Sequence, residues 1–78
     1  MSPNDPHREI AQLEKEIEDL RREQAECASR VQELLAAEAA GEGSRAAEIH
    51  QLKQRKMMLG TQMQHLRAKI GAMKLGII

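Results

Sequence analysis

The segment Leu34-Leu35-Ala36-Ala37-Glu38-Ala39-Ala40-Gly41-Glu42-Gly43-Ser44-Arg45-Ala46-Ala47-Glu48-Ile49 decides the fold, because a regular apolar rhythm stops and restarts across it. Before it, apolar residues recur at Ile10, Leu13, Ile17, Leu20, Cys27, Val31 and Leu34. After it they recur at Ile49, Leu52, Leu59, Met63, Leu66, Ile70, Met73 and Ile77. Steps of three and four residues mark the a and d positions of heptads, the seam along which one helix packs on another. Gln24 is the polar residue in the first seam and Lys56 the polar residue in the second. Most other positions hold Ala, Glu, Gln, Leu, Arg or Lys, all good helix formers.

The break has the chemistry of a turn between helices. A glycine can take the left-handed backbone that closes a helix, and Ser44 stands where a hydroxyl can cap the next one. At the other end, Asp5 is placed as an N-cap with Pro6 at the first helical position, where a missing N–H costs nothing. The expectation is one all-α domain over residues 1–78: helix 1 over about 6–40, a turn at 41–44, helix 2 over about 45–73 and an apolar tail at 74–78. Gly60, Gly71 and Gly76 punctuate the pattern of helix 2, each costing about 1 kcal/mol relative to alanine, and either permit the close approach of another helix or fray the end.

A short connection joins antiparallel neighbours, in which a residues of one helix layer with d residues of the other. The layers are then Leu34–Ile49, Val31–Leu52, Leu20–Met63, Ile17–Leu66, Leu13–Ile70 and Ile10–Met73. Each step forward along helix 1 is matched by an equal step back along helix 2, and the fold-back point falls between Gly41 and Glu42. Seam and turn, identified separately, agree on an antiparallel coiled-coil hairpin. Two mixed layers, Gln24–Leu59 and Cys27–Lys56, form a polar midsection that can fix register. Lys56 is expected to lay its methylenes on the seam and carry its ammonium to Glu23 or Glu26. The same layers would also form if two open helices paired between chains.

Charge favours the same arrangement. Residues 1–40 hold ten acids against five bases, net −5, and residues 41–78 hold two acids against seven bases, net +5. The register brings Glu14 towards Arg67 and Glu16 towards Lys69, and sets Arg30 opposite Arg55.

Composition excludes more functions than it suggests. Seventy-eight residues without a single Phe, Tyr or Trp can hardly enclose a substrate pocket, so no enzyme activity and no cofactor are expected. His7, His50 and His65 are too far apart to ligate one metal ion, and Cys27, at a seam position, is an ordinary small buried thiol. A lone cysteine suits a reducing compartment, and neither a spanning apolar run nor a signal peptide is present, which together predict a cytoplasmic protein. Twelve acids balance twelve bases. Nucleic-acid binding through Arg45, Lys53, Arg55, Arg67, Lys69 and Lys74 is therefore the alternative reading only. It is opposed by the acidic partner helix and by the lack of stacking aromatics.

A two-helix seam does not use all the apolar side chains. Leu35, Met57 and Met58 lie off the stripe, as do Ala25, Ala28, Ala36, Ala68 and Ala72, and the tail adds Leu75, Ile77 and Ile78. Such a surplus on a small scaffold marks a second interface. The expected assembly is a homodimer forming a four-helix bundle, with a dedicated helical protein partner, adaptor- or chaperone-like, as the rival.

The stretch Ile49-His50-Gln51-Leu52-Lys53-Gln54-Arg55-Lys56-Met57-Met58-Leu59, continuing to Met63 and Leu66, resembles the YdcH-like family of short bacterial proteins. That family carries a pattern close to I-x-x-L-K-x-x-K-L-x-L-K-D-x-I in its second helix. Ile49, Leu52, Lys53, Lys56 and Leu59 match it, Met57 and Met63 replace aliphatic residues, and Gly60 and Thr61 depart from its lysine and aspartate. The resemblance implies a small α-helical hairpin of unknown molecular function, in which Lys53, Lys56 and Met57 matter beyond the seam.

Overall fold

Helix α1 spans Pro6–Ala39 and helix α2 spans Ala46–Lys74 in the computed structural model, which describes residues 5–76. All four helix ends fall within a residue of the expected ones. Asp5 caps α1 as its spacing predicts: its Oδ1 accepts the His7 N–H at 3.0 Å, with Pro6 occupying the first turn. Among the described residues there is no strand.

The end of α1 is a Schellman closure. The Gly41 N–H donates to the Glu38 carbonyl and the Glu42 N–H to the Ala37 carbonyl, each at 3.0 Å. Gly41 stands at φ +82°, a conformation that costs a side-chain-bearing residue energy. Gly43, at φ +96°, makes the second left-handed step that sends the chain back. Ser44 does not become the cap of α2, because the helix begins one residue later. Arg45 is the capping residue, without a side-chain cap bond, and the Ser44 hydroxyl reaches the Ala46 N–H only at 3.4 Å. The stronger tie comes from α1, where Glu38 Oε2 accepts the Arg45 N–H at 3.0 Å and so bridges the turn.

Gly60 and Gly71 lie within a continuous helix, and Gly76, at φ +76°, lies beyond its last turn, donating its N–H to the Met73 carbonyl at 3.1 Å.

The chain folds back on itself, and the seam residues do the packing. Leu13, Cys27, Val31, Leu34, Ile49, Leu59, Met63 and Ile70 are buried, while Ile10, Ile17, Leu20, Leu52, Leu66 and Met73 are half-buried. Next to the turn, Val31, Leu34 and Ile49 form a cluster against which Leu52 packs, as the expected layers require. The result is a two-helix hairpin measuring 60 × 19 × 14 Å. Among the described residues, no helix is long and apolar enough to cross a membrane.

Candidate protein-docking face

An antiparallel pair has two broad sides, and heptad geometry sorts the residues between them. Positions g and c of both helices line one side of the seam, and positions e and b line the other. On the g side, three ion pairs cross between the helices: Glu9–Lys69 at 3.6 Å, Glu23–Arg55, and Arg30–Glu48 at 3.4 Å. All six residues occupy g positions. Arg30 also binds Glu33 on its own helix at 3.0 Å. These hydrogen bonds, to Glu33 and Glu48 for Arg30 and to Glu23 for Arg55, hold both guanidinium groups above their ordinary pKa.

These pairs correct the expected ones. A g residue precedes its a residue by one place and its d residue by four, so the g rungs fall one heptad away from Glu16–Lys69. An e residue follows its d residue by one place and its a residue by four, so Glu14–Arg67, both at e on the other side, is also one heptad out of step. Lys69 therefore meets Glu9, and the anticipated Arg30–Arg55 clash is absent because each arginine meets its own glutamate. Glu14 and Arg67 only share the walls of an open notch of about 310 Å³ with Ile17 and Ile70. The remaining g rung joins Glu16 to an uncharged Gln62, and here the side opens into a notch of about 370 Å³. Gln62→Lys completes the ladder and is expected to raise stability by ~0.2–1 kcal/mol at low salt. A thermal melt whose gain persists undiminished in high salt would contradict that origin.

The e side is built differently. Ala28 and Leu35 of α1 face Lys53 and Gly60 of α2, with Ala25, Gln32, His50, Met57 and Gln64 as outer neighbours. Among the described residues no ion pair crosses this side. Leu35 is 42% exposed and Met57 69% exposed. Ala28, Val31, Gln32, Leu35, Lys53 and Lys56 line a notch of about 180 Å³.

Lys56 corrects a further expectation. Its side chain is exposed, lines the notch on the e side and forms no pair with Glu23, which Arg55 engages, or with Glu26. What crosses the seam at this level is Gln24, whose Nε2 donates to the Lys56 carbonyl at 3.0 Å. Gly60 eases the approach, since a Cβ there would lie 3.2 Å from that nitrogen and the amide would have to give way by a few tenths of an ångström. The polar seam therefore works through Gln24 and a backbone carbonyl, and Gly60 follows the close-approach side of the two alternatives open for the helix 2 glycines. The available signal was a glycine at the e position one turn after a seam lysine. Cys27 is buried in the same midsection.

The off-seam apolar residues do not form one patch. At 100° per residue, Met57 at position b falls on the e side, while Met58 at position c, 65% exposed, falls on the ion-paired side. Leu75, 77% exposed, points outward beyond the end of α2. Leu35 and Met57 share a side with Ala25 and Ala28, and Ile77 and Ile78 lie outside the described residues.

The other candidate chemistries gain little. His7, His50 and His65 are exposed, and among the described residues no three His, Cys, Asp or Glu side chains are grouped to hold a metal ion. Of the six bases proposed as a nucleic-acid face, Arg55 and Lys69 are engaged by glutamates of α1. On α1 itself, Arg21 binds Glu18 at 2.6 Å, and that hydrogen bond draws the Glu18 carboxyl below its ordinary pKa. A lowered carboxylate pKa stabilises the fold above its ordinary value, a contribution lost as pH falls through the lowered one. An NMR titration is expected to place Glu18 below the usual glutamate range and Arg21→Gln to return it there. Full exposure keeps the effect on stability small.

No family model matches this chain, and neither a curated protein nor a solved structure matches it at a significant level.

Proposed function

We propose that this chain is a non-catalytic association module that docks its e side onto a helix of another protein, completing a larger bundle. The observation that supports the reading is the contrast between the two broad sides. One is stitched by three ion pairs, while the other presents Leu35, Met57 and several alanines without one. Helix-in-groove recognition uses such a face, with a few apolar anchors and charges at the rim. A cytoplasmic setting and kinship with the YdcH-like family, on the α2 residues alone, belong to the same proposal.

A second copy as the partner, giving a four-helix homodimer, is the second reading. The hairpin exposes 5926 Å², against about 4,800 Å² for a compact chain of its mass. Its 60 × 19 Å broad side is large enough for a stable interface.

Two measurements test the association. Light scattering with refractive-index detection, needed because the chain lacks Trp and Tyr, gives 8.8 kDa for a monomer or twice that for the homodimer. Titration of labelled amphipathic helical peptides, acidic and basic, tests the docking face, and Leu35→Glu is expected to abolish whichever association is seen. A mass of 8.8 kDa at all concentrations, with neither peptide binding, would overturn the reading.

A further inference from the structure

We infer that the helix received by the e side is acidic, carrying carboxylates one turn apart on either side of an apolar residue. The inference rests on the association reading above and names the chemistry of the partner. The notch beside the turn has an apolar floor of Ala28, Val31 and Leu35 and a rim carrying Lys53 and Lys56. Among the described residues neither ammonium has a carboxylate within ion-pair distance, whereas Arg55, Lys69 and Arg30 on the opposite side each have one. Lys53 and Lys56 are three residues apart, so their side chains leave α2 from one face about one turn apart. Carboxylates spaced by three or four residues on an incoming helix match that separation, and an aliphatic side chain between them fills a notch of about 180 Å³.

The rest of this side carries the same sign. Arg21 is neutralised by Glu18, which leaves Lys53, Lys56, Arg67 and Lys74 with Glu14 as the one opposing acid. Two copies docked through this side would set their lysines against one another, and like charges across an interface disfavour that pairing. A nucleic acid would satisfy the ammonium groups but would leave Leu35 and Met57 without an apolar contact. An acidic amphipathic helix satisfies both.

The test uses the full chain and a fluorescein-labelled peptide of Leu, Ala and Glu heptads, its counterpart with lysine in place of every glutamate, and a labelled DNA duplex, followed by anisotropy. The acidic peptide is expected to bind and the basic one to bind at least about ten-fold more weakly. Lys53→Glu with Lys56→Glu is expected to weaken the acidic peptide by about ten-fold or more. The same double variant, its helicity checked by circular dichroism, is expected to bind the basic peptide more tightly than the parent does. Equal binding of the two peptides, or no effect of the double variant, overturns the acidic preference. If Leu35→Glu still abolishes that binding, the docking face itself stands. Binding of the duplex that the double variant removes and Leu35→Glu leaves intact overturns both in favour of nucleic acid.

Discussion

Leu34→Ala is expected to cost ~2–5 kcal/mol and to lower the melting temperature by on the order of 10 °C or more. Leu34 is 3% exposed and sits in the cluster with Val31, Ile49 and Leu52. Removing its branched end leaves a void that two rigid helices can close only in part. A scaffold this small has a total stability of only a few kcal/mol, so a single such void leaves a large share of the molecules unfolded. Leu35→Ala, one residue along, is the matched control. Its side chain lies on the e side, 42% exposed, and its loss is expected to change stability by no more than ~0.5 kcal/mol. Far-UV circular dichroism melts of the two variants decide the matter. Equal losses would mean that the seam is rotated by one residue from the register described.

The second large effect is a change of architecture. Gly41→Ala combined with Gly43→Ala is expected to convert the hairpin into a straight helix paired with a second chain. Both glycines hold positive φ, at +82° and +96°, where alanine is strained, whereas the helical alternative suits alanine better than any other residue. The heptads on either side of the turn then run on as one rod, and each layer of the hairpin can re-form between chains. A continuous helix from Pro6 to Lys74 is about 100 Å long at 1.5 Å per residue, against 60 Å for the hairpin. Small-angle scattering separates the two shapes, and light scattering reports the doubled mass. A variant that keeps the monomer's length and mass would show that the Glu38–Arg45 bridge and the first layers hold the turn without glycine.

The seam was legible in the sequence because burial in a helix pair follows spacing alone. Each residue found buried, from Leu13 to Ile70, was a heptad entry, and Asp5 and Gly41 act as their types and places require. The flanking contacts were not legible to the same degree. An exposed lysine reaches several carboxylates, and a displacement of one heptad separates Glu16 from the Glu9 that Lys69 meets. Lys56 shows another limit. An a position predicts where a Cα lies, but a long flexible side chain can leave the seam, and here Gln24 uses the carbonyl behind it. Gly60 reads in sequence either as a point of close helix approach or as a weak point in the helix, and the 3.2 Å separation from Gln24 favours the first. The off-seam apolar residues were read as one set. Position letters assign Met57 and Met58 to opposite sides, a distinction that a list of surplus residues does not draw.

The fold-back at Gly41 also determines how the molecule answers a mechanical load. Asp5 and Gly76 lie at the same end, far from the turn, so tension applied there pulls the two helices apart sideways. The force falls on the layer Ile10–Met73 first, then on Leu13–Ile70, and so on toward Leu34–Ile49. Each rung carries the whole force in its turn, the geometry of a zipper, and the hairpin yields at a lower force than two parallel strands sheared along their length. The Gln24 bond to the Lys56 carbonyl lies about midway, and the opening fork meets it after the Glu9–Lys69 ion pair and the outer apolar layers.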